Sequence, residues 1–164
     1  SSLVNKEAGV VYIPVDHYGN TQSSLEEIEV VKKIVSEVTG NSFTDKDGKQ
    51  HKISSEDILI VAPYNHQVNL LKQELDDKAK IGTIDKFQGQ QAPVVILSMC
   101  ASSASDSPRG LEFLLDKHRL NVAVSRAQSL AIVVASSTLT DQLGDSLKSM
   151  QLVNTFQMLK DYGK

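Results

Sequence analysis

The amino-acid sequence predicts a single α/β domain built on a mainly parallel β-sheet. Three short runs that are almost entirely apolar, at residues 58–62, 94–99 and 131–135, are typical of strands buried on both faces of a sheet. Amphipathic stretches with helical spacing alternate with such runs, which indicates βαβ connections. With 164 residues, 40% of them hydrophobic and 23% charged, the chain can bury one core of this kind. We therefore expect one domain over residues 1–164, with helices on both faces of the sheet.

The first elements are a strand and a capped helix. Residues 9–15 predict a strand, and Pro14 indicates either its end or a place at the edge of the sheet. Ser23 or Ser24 can cap the helix that follows, and Gly40 is expected to stop it. Glu26 and Glu27 fall in the first turn of this helix and are interpreted as helix-start chemistry and not as a metal-binding acid box, because acidic side chains suit the positive end of the helix dipole.

The middle of the chain continues the alternation. Residues 41–52 contain a turn signal that is compatible with a small hairpin. A buried strand is predicted at 58–62, an amphipathic helix at 65–75 and a short strand at 80–84. A polar loop then leads into the central strand at 94–99.

The last third of the chain is predicted to continue the alternation of helices and strands. We expect a serine-rich loop at 101–109, a short helical turn at 111–115 and a helix at 120–127. A buried strand at 131–135 and an amphipathic helix at 147–159 complete the prediction.

Composition narrows the function classes. The net charge of -3 is unusual for a stand-alone nucleic-acid binder, which normally carries a basic surface. The single cysteine, Cys100, follows an apolar run and is expected to be a buried, inert thiol, which suits the reducing cytoplasm. The four histidines show no metal-ligand spacing, so no metal site is predicted. The apolar runs are too short to span a membrane, and no signal peptide is visible.

The loop before the central strand carries Gly82 and Gly89 between polar residues. Gly89 lets the backbone approach a ligand closely, and open α/β sheets bind ligands at the loops that follow their strands. By itself the pattern is equally typical of an ordinary surface turn before a core strand.

Four blocks in the right order make the pattern far more specific. They are DILIVAPYNHQ at 57–67, TIDKFQGQQ at 83–91, GLEFLLDKHR at 110–119 and RLNVAVSRA at 119–127. Together they resemble motif IV, motif V, the lead-in to motif VI and motif VI of superfamily 1 helicases, in the Dna2/Nam7 branch that includes the nonsense-mediated-decay helicase. The variant QQAP also resembles a bacterial subgroup in which this module follows a RecB-like nuclease.

The resemblance implies the second, three-layer RecA-like motor domain of an ATP-dependent helicase. A phosphate-binding loop and a strand-end Asp-Glu pair are both missing from this sequence, so ATP and Mg²⁺ would be held mainly by a preceding RecA-like domain. Arg126, in the motif VI block, is then the expected arginine finger, the catalytic residue that neutralises charge on the transferred phosphate. The alternative for Arg126 is a surface arginine or one in a structural ion pair.

The same resemblance implies further nucleotide contacts. Gln88, Gly89 and Gln91 form the motif V loop, and Arg119 supports motif VI or the interdomain contact. In the family the position of Gln91 is commonly a glutamate that contacts the sugar of the nucleotide. Gln91 can still form hydrogen bonds but carries no charge, which puts nucleotide affinity in question.

Nucleic-acid contacts are expected from Pro63, Tyr64, Gln67 and Thr83, on single-stranded DNA in preference to RNA. The hydroxyl of Thr83 suits a phosphate contact without adding charge. Tyr64 could stack on a base or an adenine ring, or it could simply pack at a strand end.

Two other classes remain open at this stage. The acidic balance and Gln91 are compatible with a non-catalytic RecA-like scaffold that binds proteins. A Rossmann-like small-molecule domain is weaker, because no Gly-x-Gly-x-x-Gly follows the first strand. A phosphate-binding domain earlier in the natural gene would favour the helicase over both.

Overall fold

A computed structural model describes residues 9–45, 47–87, 89–103 and 126–139. The strands are β1 (Gly9–Val15), β2 (Ser42–Thr44), β3 (Gln50–Lys52), β4 (Ile58–Val61), β5 (Lys80–Gly82), β6 (Ala92–Ser98) and β7 (Ala127–Ser136). The helices are α1 (Leu25–Val38) and α2 (Asn65–Leu75), with 3₁₀ turns at Ser55–Asp57 and Ile84–Phe87. The helices predicted at 111–115 and 147–159 lie outside the described residues.

Within the described ranges the main sheet has five strands in the order β1-β7-β6-β4-β5, and every neighbouring pair is parallel. β2 and β3 form a separate antiparallel hairpin, as the turn signal allowed. β1 lies at an edge of the sheet, where Pro14 costs no ladder hydrogen bond on its open side. The predicted α/β class is confirmed, and this sheet with its helices is consistent with a RecA-like domain.

The core forms where α1 covers the sheet. α1 packs against β1, β6, β7 and α2, so both long helices that the structure describes share one face of the sheet. All residues of β4 and β6 are buried, as their apolar sequences predict. Ser24 caps α1 by accepting a hydrogen bond from the backbone N–H of Glu27, and Gly40 follows the helix with a φ of +86°. Both ends of α1 therefore agree with the sequence.

The last described strand corrects one boundary. β7 begins at Ala127, whereas the sequence predicted a helix over 120–127 and a strand only from 131. Ala92 pairs with Ala127, and the Ala92 N–H donates to the Arg126 carbonyl at 3.1 Å, so the ladder with β6 extends the strand. The rest of the predicted helix lies outside the described residues. Local propensity was overridden here by strand pairing.

Because the strands are parallel, all their carboxyl ends lie on one side of the sheet and all their amino ends on the other. Connections from β4 and β6 run in opposite directions, so the strand order reverses between these two neighbours. In open α/β sheets such a reversal opens a crevice at the carboxyl ends of the strands. We call that side the carboxyl edge and the opposite side the amino edge.

Candidate nucleotide and nucleic-acid sites

Arg126 lies at the amino edge, directly before β7. Its Nη1 donates to the carbonyl oxygen of Gln90 at 3.0 Å, which ties the guanidinium to the glycine loop. Its Nε is buried and has no hydrogen-bond partner among the described residues. Leaving a buried donor unpaired costs about 1 to 3 kcal/mol. The side chain is therefore anchored on one side and retains a donor that an acceptor from outside the described residues could satisfy.

The glycine loop lies in the open beside Arg126. Gly89 has a φ of +77°, and a Cβ built on it meets nothing within 4 Å. The Gln90 N–H closes the turn on the Phe87 carbonyl at 3.0 Å, and Gln90 and Gln91 are exposed. Glycine is needed here for the left-handed backbone, and the loop is accessible to a ligand. Gln88 and Arg119 lie outside the described residues.

The position of Gly89 differs from the one that the strand-end argument predicted. The loop joins the carboxyl end of β5 to the amino end of β6, so Thr83 lies at the carboxyl edge while Gly89 and Gln91 lie at the amino edge. The carboxyl-edge rule for ligands therefore applies to Thr83 and not to Gly89. The sequence could not separate the two ends of this loop without the strand order.

A cleft of about 550 Å³ opens next to the same loop. Lys86, Phe87 and Gln90 contribute to it from the loop side. Its charged lining includes both signs, and Lys80 is already paired with Glu56 at 3.3 Å. The charged lining residues are Glu56, Lys72, Asp76, Asp77, Lys80 and Lys86. Such a mixed lining is not a phosphate cradle, which needs converging donors.

At the carboxyl edge, Pro63 and Thr83 are neighbours. The Ala62 N–H donates to the Gly82 carbonyl at 3.2 Å, and each candidate residue comes one position later. Both side chains are half-buried, so each presents part of its surface at this edge. The structure brings these two predicted nucleic-acid contacts together.

The other two predicted nucleic-acid contacts face the protein interior. Tyr64 is 7% exposed and belongs to the hydrophobic core, which agrees with the packing alternative. Gln67 is fully buried. Its amide accepts from Ser24 N at 2.9 Å and donates to Ser24 O at 3.2 Å and to Ser98 Oγ at 3.1 Å. With these partners the Gln67 side chain cannot reach a strand bound at the surface, and we do not retain its predicted contact.

The carboxyl edge also holds a buried polar network that sequence reasoning missed. Glu27 is 0% exposed, although it was interpreted only as helix-start chemistry. Its Oε1 accepts from Ser98 Oγ at 2.8 Å and from Cys100 N at 3.1 Å, and its Oε2 lies 2.6 Å from His17 Nε2. His17 Nδ1 lies 2.6 Å from Ser102 Oγ. The network joins the loops that follow β1 and β6.

One assignment of the hydrogens satisfies the whole network. With its hydrogen on Nε2, His17 donates to Glu27 Oε2 and accepts at Nδ1 from the Ser102 hydroxyl. Ser102 Oγ is then free to accept the Asn20 N–H at 2.9 Å. A buried carboxylate is stable only when it is paired in this way.

The order Ser102–His17–Glu27 has the connectivity of a catalytic triad but not its accessibility. Ser102 is 2% exposed, and its Oγ already accepts a backbone N–H. A nucleophile must reach a substrate carbonyl, and this one is enclosed. The network is therefore structural.

Cys100 shows that the network holds a strained segment. Its φ is +71°, a region that side chains other than glycine seldom adopt. Its N–H is fixed by Glu27, and burial raises the pKa of its thiol well above the usual value. The prediction of a buried cysteine is confirmed by an exposure of 0%.

The fold and the two edges define the class of this protein as an α/β domain of RecA-like type. A model of the AAA domain family matches residues 13–138, and the chain belongs to that family. The match runs from β1 through β7 and includes both edges.

Several proteins similar to this chain are named as helicases. The chain is 30% identical over 145 residues to the DNA replication ATP-dependent helicase/nuclease dna2 of Schizosaccharomyces pombe, which covers 85% of this chain and 10% of that protein. It is 32% identical over 118 residues to the DNA replication ATP-dependent helicase/nuclease JHS1 of Arabidopsis thaliana, covering 71% of this chain and 8% of that protein. It is 36% identical over 88 residues to the DNA polymerase alpha-associated DNA helicase A of Schizosaccharomyces pombe, covering 52% and 13%.

The chain thus spans only a small part of each relative. These matches support a domain of the ATP-dependent helicase type and its kinship with superfamily 1. In the part of the chain that the structure describes, no helix is long and apolar enough to cross a bilayer, and no group of three or more potential ligands is placed to hold a metal ion.

Proposed function

We propose that the chain is the second RecA-like motor domain of an ATP-dependent helicase that acts on single-stranded DNA in preference to RNA. In this proposal Arg126 serves a nucleotide site whose phosphate loop and Mg²⁺ ligands belong to a preceding RecA-like domain. Gly89 and Gln91 complete that site from the amino edge, and Pro63 and Thr83 contact the strand at the carboxyl edge. Gln88 and Arg119 keep their proposed nucleotide roles on the strength of the motif resemblance alone.

The observation that supports this proposal most is the orientation of the Arg126 guanidinium and its unpaired Nε. The guanidinium is oriented by Gln90 O, next to an open glycine loop, and its buried Nε has no acceptor among the described residues. A phosphate oxygen is the kind of acceptor that a guanidinium fork fits best.

The names of the relatives support the choice of DNA. Two of them are named as DNA replication helicase/nucleases and one as a DNA helicase. A nuclease domain attached to the present chain, as in the bacterial subgroup with a RecB-like nuclease, is a further proposal that the gene sequence decides.

The isolated chain tests the shared nucleotide site. Because it supplies a finger but no phosphate loop, we predict no turnover of ATP and only weak binding of Mg²⁺-ATP. Calorimetric titration and a phosphate-release assay measure the two quantities. Tight binding, or phosphate release above a blank without protein, contradicts the proposal.

A non-catalytic scaffold is the second candidate function, and two observations favour it. Gln91 replaces the acidic residue that the family commonly uses, and the chain has a net charge of -3. The scaffold predicts that joining this chain to its natural partner domain produces no DNA-stimulated ATPase activity.

A further inference from the structure

Tyr18 is the most exposed large hydrophobic side chain that the structure describes. Its exposed fraction is 81%, and Leu25 follows with 65%. A tyrosine stabilises a fold mainly when its ring is buried, so a ring this exposed contributes little to the stability of this fold. The ring is available for a contact outside the described part of the chain.

The backbone on both sides of Tyr18 is fixed. His17 is buried between Glu27 and Ser102. Asn20 exchanges two hydrogen bonds with Ser102: its N–H donates to Ser102 Oγ at 2.9 Å, and its carbonyl accepts from Ser102 N at 3.0 Å. Between these anchors Gly19 turns the chain with a φ of +75°.

Tyr18 and Gly19 are therefore a two-residue projection on a rigid base. A side chain on such a base loses little backbone freedom when it binds, which is the general advantage of a preorganised contact. The buried network of Glu27, His17 and Ser102 provides that base.

The projection lies at the carboxyl edge. It follows β1, while the proposed strand contacts Pro63 and Thr83 follow β4 and β5 in the same parallel sheet. Strands are about 4.8 Å apart, so β1 lies roughly 14 Å from β4 across the sheet. A bound single strand of a few nucleotides can extend over that distance.

The charges near Tyr18 determine whether a phosphate or a base could bind there. Asp16 and Glu26 are exposed near Tyr18 in the chain, and Glu26 already accepts hydrogen bonds from Asn20 Nδ2. Carboxylates repel phosphate, but they do not prevent the face of an aromatic ring from stacking on a base. We propose that Tyr18 is a base-stacking residue for single-stranded nucleic acid, and this inference rests on the proposed function.

The absence of tryptophan from the sequence allows a direct test, since the chain contains none. Tyr18→Trp introduces a single tryptophan at the proposed stacking position, and Leu25→Trp introduces one at the other exposed apolar position. Titration with a short oligothymidylate should quench the fluorescence of the Tyr18→Trp variant and leave that of Leu25→Trp nearly unchanged. Equal quenching of both, or of neither, overturns the assignment.

Affinity provides the second readout. With a fluorescein-labelled oligothymidylate and anisotropy detection, Tyr18→Ala should weaken binding about fivefold or more, the usual range for loss of one stacked base. Tyr18→Phe should bind within about twofold of wild type, because the ring face is kept. The slope of affinity against salt should be unchanged in Tyr18→Ala, since no phosphate contact is lost.

Each outcome separates the inference from the function on which it rests. If wild type binds and Tyr18→Ala binds equally well, the stacking role is wrong while the helicase proposal stands. If Tyr18→Ala and Leu25→Ala leave binding intact but both abolish a self-association of the chain, the projection is a protein contact and the inference is wrong. If wild type does not bind the oligonucleotide, the inference fails, and the role of Arg126 in ATP hydrolysis still decides the proposed function.

Discussion

Glu27 is the buried acceptor that holds several groups together at the carboxyl edge. It receives three hydrogen bonds in a fully buried position, from His17, Ser98 and the backbone of Cys100. A signal for this burial was present in the sequence, because Glu27, Val31, Ile34 and Val38 share the apolar stripe of α1. Its partners could not be predicted, because Ser98 and Cys100 are more than seventy residues away in the chain.

Replacing Glu27 by glutamine should destabilise the protein. The amide offers only one acceptor atom and presents N–H groups to donors, so at least one buried donor loses its acceptor. We expect the free energy of unfolding to fall by about 1 to 3 kcal/mol in urea titrations. The matched control is Glu26→Gln in the exposed adjacent position, which should stay within about 0.5 kcal/mol of wild type. Equal stability of the two variants would show that the Glu27 network is not important for the fold.

Some residue roles could be predicted from the local sequence, and others depend on partners that are distant in the chain. The loop at Gly89 was predicted from the sequence, and its φ of +77° explains why a glycine is used there. The burial of Gln67 could not be predicted, because an amide in the first turn of α2 has the same local sequence whether it faces solvent or Ser24 and Ser98. Tyr64 could be left only as two alternatives for the same reason.

At the scale of elements, the cap of α1 discriminates between two adjacent serines. Ser24 Oγ accepts from the Glu27 N–H at 3.2 Å, and the backbone N–H and carbonyl of Ser24 both bond to the side-chain amide of Gln67. Sequence alone allowed Ser23 or Ser24, because either can start this helix.

Ser24→Ala should lower the stability of the protein by about 1 kcal/mol through loss of the cap. Ser23→Ala is the natural comparison, and we expect a change of about 0.5 kcal/mol or less. Thermal and urea unfolding of both variants measure the difference. A larger cost at Ser23 would mean that the helix begins one residue earlier in solution.

Strands were predictable where apolar runs are unbroken and less so at their ends. β1 was predicted with its observed bounds, and β4 and β6 were predicted as buried strands. The early start of β7 was missed because Gln128 and Ser129 are polar, yet pairing between β6 and Ala127 extends the ladder. Hydrophobic pattern reports burial, and a strand continues beyond the buried part when a neighbour offers hydrogen bonds.

At the scale of the whole molecule, the candidate residues divide between the two edges of one sheet. Arg126, Gly89 and Gln91 lie at the amino edge, and Pro63 and Thr83 lie at the carboxyl edge. This arrangement fits the proposal of two separate tasks, the nucleotide on one side and the nucleic-acid strand on the other. The alternation of strands and helices predicted the fold, but only the strand order assigns each loop to an edge.

The net charge of the chain predicts how the proposed binding of DNA should depend on salt. With a net charge of -3 and polar groups at the carboxyl edge, the isolated chain should release few counterions on binding a single strand. We expect weak affinity with a shallow dependence on salt, measured by anisotropy from low to physiological ionic strength. A steep loss of affinity with salt would indicate a basic binding surface elsewhere on the chain.

Arg126 provides the most direct test of the central claim, that this domain completes a shared ATPase site. In the protein that carries both motor domains, Arg126→Ala should reduce DNA-stimulated ATP turnover by on the order of 10³-fold, about 4 kcal/mol in the transition state, and Arg126→Lys should rescue little. The melting temperature should fall only slightly, since one hydrogen bond to Gln90 is lost. Both quantities are measured on one preparation of each variant. Near-normal turnover per folded molecule, with a lowered melting temperature, would contradict the account and make Arg126 a structural residue.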